Sequence, residues 1–446
     1  MSRRLRLAYA AAFPGGAGAL GSNSRFFSHL DTTMTPTARR FAAALFLYVL
    51  AAPLLAQQAY FPGPGPGAWE RRSPEQAGMD VSRLTQAIEF AIASEATQPR
   101  DLAVTHQTSF GREPHGEPVG PFRTRGPATG LVVRHGFIVA EWGDPARVDM
   151  TFSVTKSFLS TTVGLAWADG LIRDVHDRVA PYMAPVTLPP GDGERGLHGE
   201  DYSHEPVTLF EDKHNRGITW DHLLRQTSAW RGTLWGKPDW ADRPSPDPST
   251  WLDLARPEPG TAYEYNDTRV NLLALAATQV WRRPLPEVLR ERVMDPIGAS
   301  RTWRWHGYEN SWILLDGKQV QSVSGGGHWG GGMFISAYDQ ARFGLFTLHR
   351  GNWNGTQLLP DEWFEMALTP TAARQDYGYM NFFLHRTDSE GNKAMPSTPE
   401  DSYRHVGAGS NIVYVDPDND LVVVTRWIEG ARLDEFLGKV LAAIED

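Results

Sequence analysis

The segments of this chain that read as strand fall into two groups far apart in sequence, and that separation constrains the fold more than any other feature. Gly130–Val133 and Phe137–Ala140 are apolar runs joined by the tight turn Arg134-His135-Gly136. Asn411–Val415 and Leu421–Thr425 repeat the pattern around Asp416-Pro-Asp-Asn-Asp420. A lone two-stranded hairpin is marginal in water, so the two hairpins are expected to share one sheet. The expected class is therefore α/β (α+β): an antiparallel sheet built from both chain ends and flanked by helices, with a mainly helical lobe inserted at about 180–330.

Helices are expected over 80–93, with Asp80 as N-cap ahead of Leu84, Ile88 and Ala91, over 152–170, and over about 433–444. Within the lobe the helix candidates are 220–226, 267–281 and 285–293, separated by Pro-rich loops. Tryptophan is dense from Trp220 to Trp312, which suggests core and cleft wall. Residues 95–126 read as loop, and no internal repeat is visible.

At 446 residues and 41% apolar composition, the chain can bury a large core in one two-lobed domain or two domains. Its net charge of -9, without Lys/Arg runs, excludes an electrostatic footprint for nucleic acid. It has no cysteine, so disulfides, thiolate metal sites and a thiol nucleophile are excluded.

Arg39-Arg40, an apolar stretch from Phe41 to Leu55 and a small residue at Ala56 have the order of a secretory signal peptide over 34–56, the alternative being an uncleaved anchor. The uncharged stretch is short for a membrane span, and no integral membrane domain is expected. Residues 1–33 precede this signal and are expected to be a start-site artefact, with translation from Met34. A Pro/Gly spacer covers 57–68, and the folded domain is expected over 69–446. The mature protein is expected to be exported, periplasmic or secreted, with an acidic net charge.

The chemistry centres on Ser153-Val154-Thr155-Lys156 at a helix start. Residues three apart share a helix face, so Lys156 can reach the Ser153 hydroxyl. A serine needs such a partner to act as a nucleophile, and a helix N-terminus offers N–H groups where an oxyanion forms. A capping Ser beside a solvated Lys has the same spacing. Tyr265 lies at a loop-to-helix corner in Tyr263-Glu264-Tyr265-Asn266-Asp267, and could present its phenol to Ser153 or pack in the core. Arg404-His405-Val406-Gly407-Ala408-Gly409 leads into a strand, where an edge could hold substrate and the Ala408 N–H could complete an oxyanion hole.

With these segments the chain resembles the serine β-lactamase and penicillin-binding-protein superfamily, nearest its class C and esterase-like branch. Further landmarks are Gly217-Ile-Thr-Trp-Asp-His-Leu-Leu224-Arg-Gln-Thr-Ser228, Asp295-Pro-Ile-Gly298 and Gly331-Gly-Met-Phe-Ile-Ser336-Ala-Tyr-Asp339. The resemblance covers about 69–445 and implies a β-lactamase/transpeptidase-like fold. It implies Ser153 as the acylated nucleophile, Lys156 as its partner and Tyr265 as the second-motif tyrosine, with Tyr263 a decoy. It implies oxyanion and substrate-binding roles for His405, Gly407 and Ala408. Where the family has Tyr-x-Asn, this chain has Tyr265-Asn266-Asp267, so Asn266 and Asp267 are the candidate second-motif polar residues. An anion at 267 would keep Lys156 protonated and lean the base role on Tyr265. His405 replaces the usual Lys of the third motif, which disfavours a β-lactamase proper.

Gly325-Gly-Gly-His-Trp-Gly330 fits a dinucleotide-loop spacing but lacks the strand–helix context. His198, His204, His214 and His222 lie in a polar insertion without metal-ligand spacing. The resulting expectation is an exported serine hydrolase acting through a Ser153 acyl-enzyme on small ester, amide or peptide substrates, esterase- or D-amino-acid-peptidase-like, with no cofactor and no metal. The rival from another class is a catalytically dead cell-envelope binding protein of the same fold, for which the aspartate at 267 is the best sequence support.

Overall fold

The computed structural model describes residues 5–7, 59–189, 206–252, 256–384, 386–387 and 390–445. The expected signal segment at 34–56 lies outside these, as do His198 and His204. Both hairpins join one antiparallel sheet, in the spatial order Leu5–Leu7, Phe137–Trp142, Thr129–Arg134, Leu421–Arg426, Asn411–Asp416, Tyr403–Gly407, Phe382–Phe383. The two chain ends meet where Leu421–Arg426 pairs along the whole of Thr129–Arg134, from Leu421 opposite Arg134 to Arg426 opposite Thr129. Leu5–Leu7 pairs with the outer edge of Phe137–Trp142, so the N-terminal region that the sequence sets aside contributes a short edge strand.

Burial on both faces explains why the central strands are almost continuously apolar. On one face Ile412, Tyr414 and Val423 pack against Leu84 and Ile88 of the Val81–Ala93 helix and Phe436 of the Leu433–Leu441 helix. On the other face the Ala337–Leu348 helix lies so close that a Cβ at Gly344 would stand 2.6 Å from Val422 and 2.7 Å from Val413. Asp80 caps the Val81–Ala93 helix as expected, accepting from the Arg83 N–H at 2.7 Å.

Three regions differ from the sequence expectation. The lobe is mixed rather than mainly helical, because Arg304–Leu315 and Lys318–Val323 form a hairpin that joins Gly332–Ile335 and Asp149–Met150 in a second antiparallel sheet. Asp316-Gly317, at φ 51° and 75°, makes the tight turn, and alternating burial along Trp305, Gly307 and Ile313 is the strand signal hidden among the aromatics. The supposed loop at 95–126 contains the Leu102–Thr108 helix, capped by Asp101 through the Ala103 N–H at 2.9 Å. The Pro/Gly stretch is not a free spacer: the buried Arg342 guanidinium donates to the carbonyls of Pro62, Gly63 and Gly65 at 3.2, 2.6 and 2.8 Å. Among the described residues no helix is long and apolar enough to cross a membrane.

Candidate active site

Ser153 sits in a short 3-10 turn, Phe152–Val154, that feeds the Thr155–Ala168 helix. Phe152 is left-handed, at φ 49°, a strained conformation for a bulky residue, and it lifts the serine clear of the helix end. Thr155 fastens the turn to the second sheet: its hydroxyl donates to the Phe152 carbonyl and accepts from the Met333 N–H at 2.9 Å.

The expected pair forms. Lys156 Nζ donates to Ser153 Oγ at 2.8 Å and to Asp267 Oδ1 at 2.6 Å, with Lys156 and Asp267 both buried. The other oxygen of Asp267 pairs with Arg243 at 3.0 Å, and the Asp267 N–H donates to Asp242. Burial pushes the Asp267 carboxyl up, but Lys156 and Arg243 pull it down further, leaving it well below the usual range. Burial pulls Lys156 down, Asp267 opposes this, and the net direction is down. Burial and the Asp267 anion together raise Tyr265 well above the usual phenol range, although Arg243 and a hydrogen bond with Ser153 act the other way. Lys156 Nζ lies 4.6 Å from the centre of the Tyr265 ring. Burial thus works against loss of the Tyr265 proton and against the charged form of Lys156, while Asp267 beside the lysine favours that charge.

Ser153, Tyr265, Gly407 and Ala408 border one cavity of about 130 Å³, so the serine, the tyrosine and the third segment are brought together. Gly407 is needed for close approach, since a Cβ there would stand 2.1 Å from the Thr151 carbonyl and 3.0 Å from the Ser153 nitrogen. The Ala408 carbonyl accepts from Asn411 Nδ2 at 2.7 Å, which fixes the turn that carries it past the serine.

Two proposed site residues lie elsewhere. His405 is turned away from the cleft: on the Tyr403–Gly407 strand residues 403, 405 and 407 are buried while 404 and 406 are half-buried. Its Nε2 meets the Thr347 hydroxyl at 3.3 Å, its ring lies 5.4 Å from that of Phe343, and burial pushes it down to about 3. Period-two alternation thus gives the cleft to Val406, and His405 is an uncharged core residue. Asn266 is a buried helix cap, its side chain accepting from the Arg269 N–H at 3.1 Å and donating to the Asp239 carbonyl at 2.7 Å. Tyr263 packs 5.0 Å from the Tyr377 ring with Arg374 over its face.

The sequence reading missed Arg243, Asp242, Gly326 and His328. Arg243 sits, at φ 52°, in a loop noted only for its prolines, and a charge directly before Pro244 was the one sequence signal. Gly326 accepts from the Ser153 hydroxyl at 3.3 Å through its carbonyl. A Cβ on Gly326 would overlap Asp267 Oδ1 at 1.8 Å and Lys156 Nζ at 2.1 Å, so the glycine run set aside as a nucleotide loop is the roof over the Lys156–Asp267 pair. His328 Nε2 pairs with Glu113 Oε2 at 2.7 Å. Glu113, Asp242 and His328 could share a metal ion by spacing, but the Arg243 cation already occupies Asp242, which is a poor setting for a second positive charge.

A sheet from both chain ends, a mixed lobe and a half-buried serine set against a buried lysine–aspartate pair are the features that characterise fold and site. Residues 124–426 match the Beta-lactamase family model, more than half of the chain, and the protein belongs to that family. Among solved structures it is similar to a β-lactamase from Mycobacterium bovis, with 18% identity over 74% of this chain and 95% of that one and a TM-score of 0.44. It is likewise similar to a family VIII carboxylesterase, at 16% identity over 82% and 99% with a TM-score of 0.48. A hydrolase with promiscuous acyltransferase activity is similar at 15% identity over 82% and 99%, TM-score 0.48. No curated protein matches the sequence.

Proposed function

We propose that this β-lactamase-family hydrolase is a serine hydrolase that works through an acyl-enzyme on Ser153, with ester or amide substrates of the esterase or D-amino-acid-peptidase kind. The observation that carries the reading is the 2.8 Å contact between the Ser153 hydroxyl and a buried Lys156 whose proton burial loosens. As a free amine, Lys156 takes the Ser153 proton while Oγ bonds to the substrate carbonyl carbon. The N–H groups of Ser153 and Ala408 hold the oxygen that becomes negative. When the tetrahedral species collapses, the bond to the leaving group breaks and the Lys156 proton passes through the Tyr265 hydroxyl to the departing atom. Water then attacks the acyl carbon, its proton returns by the same route, and the acid leaves with Ser153 restored.

Asp267, which on sequence grounds favoured a catalytically dead binding protein, instead lends support to an active site by orienting Lys156. The reading that His405 disfavours a β-lactamase proper is supported by its inward turn, because position 405 then puts no cation into the cavity. Export after cleavage near Ala56 is part of the proposal, supported by the basic–apolar–Ala order at 34–56. N-terminal sequencing of exported protein should begin near Gln57, and a start at residue 2 or 35 would overturn it. Turnover of p-nitrophenyl esters, D-amino-acid amides and nitrocefin tests the substrate class: ester or amide turnover well above nitrocefin is expected, and nitrocefin as the best substrate would contradict it.

A further inference from the structure

The wall of the catalytic cavity opposite Val406 and Ala408 is Phe110, which comes from a strap rather than from either sheet. The strap is tied down along its length. His106 Nε2 hydrogen-bonds the Gly116 carbonyl at 2.8 Å, and Lys237 Nζ donates to the carbonyls of His115 and Glu117 at 2.5 and 2.7 Å. The Val119 and Gly120 N–H groups both donate to the Trp329 carbonyl at 3.0 Å. Nearer the tip, Glu113 pairs with the fully buried side chain of His328 at 2.7 Å. The His328 ring in turn lies 4.2 Å from that of Phe110 and 4.5 Å from that of Trp329. Arg243 sits over the outer face of Phe110 at 5.4 Å.

We propose that Phe110 is the residue that sets substrate size, confining the enzyme to short acyl groups, and that the Glu113–His328 pair is the latch that holds Phe110 in place. The inference rests on the acyl-enzyme reading above and names its substrate class. A cavity of about 130 Å³ is close to the ~150 Å³ that accommodates one benzene molecule. An acyl chain of two to four carbons fits beside Ser153; an eight-carbon chain has to displace Phe110. Phe110 packs 4.2 Å from the His328 ring and 5.4 Å from the Arg243 guanidinium, so moving it disturbs both contacts. Phe110, Phe152 and Val406 give the cavity an apolar side that suits a hydrocarbon acyl group, while Arg243, its charge met by Asp242 and Asp267, and His328 border it beside Phe110.

The test is a series of p-nitrophenyl esters from acetate to octanoate, assayed on unlabelled wild type, Phe110→Ala and Glu113→Gln, with a separate aliquot of each labelled with a fluorophosphonate and weighed intact. Wild type should lose at least tenfold in kcat/KM between butanoate and octanoate. Phe110→Ala should raise the octanoate-to-acetate ratio at least tenfold, and Glu113→Gln should move the same ratio the same way by a smaller factor, since it frees the wall without removing it. Glu113 does not border the cavity, so its variant also covers the case in which Phe110→Ala folds poorly. The proposal is overturned if Phe110→Ala, shown competent by the label on its separate aliquot, keeps the wild-type ratio, or if wild type already prefers octanoate. A wild-type chain that takes no label on Ser153 overturns the hydrolase reading, and the acyl pocket with it.

Discussion

Two buried polar cavities lie on either side of the Tyr403–Gly407 strand, and they handle burial in opposite ways. The catalytic one, about 130 Å³, is bordered by Ser153, Arg243 and Gly326, behind which charge is set against charge: Lys156 on Asp267 at 2.6 Å and Arg243 on Asp267 at 3.0 Å. The other, about 20 Å³, is bordered by Ser157, Ser160, Asn381 and His405 and has no ion pair; burial alone drives His405 down to about 3, and its Nδ1 and the Asn381 Oδ1 have no partner among the described residues. Burial without a counter-charge neutralises a group and makes it inert. Burial beside a fixed anion sets two effects against each other, since the anion favours the charged form that burial disfavours, and the group stays ionisable.

Removing the base should break the contrast most severely. Lys156→Ala is expected to lower kcat by about 10²–10⁴-fold, the usual worth of a positioned proton acceptor, and to slow fluorophosphonate labelling in step. The pH profile sharpens the point. Lys156 is active as the free amine, so kcat/KM should rise with pH through a limb lying below the usual lysine range, because burial lowers that group. Asp267 opposes the lowering, so Asp267→Asn should move the limb to still lower pH while reducing the plateau. A limb at the ordinary lysine position in both proteins would contradict this.

Gly326→Ala tests whether the roof is as tight as its geometry demands. A Cβ 1.8 Å from Asp267 Oδ1 must push the pair apart, and overpacking of this kind costs about 1–3 kcal/mol. Both a lower Tm in thermal unfolding and a kcat reduced by about two orders of magnitude are expected, the latter because misplacing a proton-transfer group is itself costly. Tyr265→Phe should likewise reduce kcat by about a hundredfold or more, whereas Tyr263→Phe, behind the cleft, should stay near wild type in the same assay. The opposite ranking would mean that the second-motif register is off by two.

The smallest effect on activity is expected on the far side of the strand. His405→Asn should leave kcat and KM close to wild type. His405→Lys should not supply the cleft with a cation; it buries an unpaired ammonium, costing several kcal/mol by the usual measure of an uncompensated buried charge. Thermal unfolding should show a large fall in Tm without improved turnover of carboxylate-bearing substrates. Improved turnover with an unchanged Tm would place residue 405 in the cleft after all.

Much of this was legible in the sequence, and what was not has physical reasons. The strand pairs of the central sheet, the Asp267–Trp281 helix and the Ser153–Lys156 pair followed from local pattern, because apolar runs, caps and i,i+3 spacing are properties of neighbouring residues. His405 was misplaced because which side of a strand faces a cleft depends on its partners, not on its own composition. The balance between Tyr265 and Lys156 could not be read from sequence, because burial, which acts on both phenol and amine, is a property of the folded chain. Arg243 and Gly326 were overlooked for the same reason: each matters only through what it touches, at separations of 24 and 173 residues from Asp267 and Ser153 respectively. The hairpin at 304–323 was hidden by its own tryptophans, whose alternation was read as a cleft wall.

The central claim is that Ser153, activated by Lys156, is acylated. Fluorophosphonate labelling followed by intact mass and peptide mapping tests it directly, with Ser153→Ala as the control. One adduct per chain, on Ser153, is predicted for wild type, and neither adduct nor turnover for Ser153→Ala. A wild-type adduct on another residue, or full ester hydrolysis by Ser153→Ala, would contradict the account.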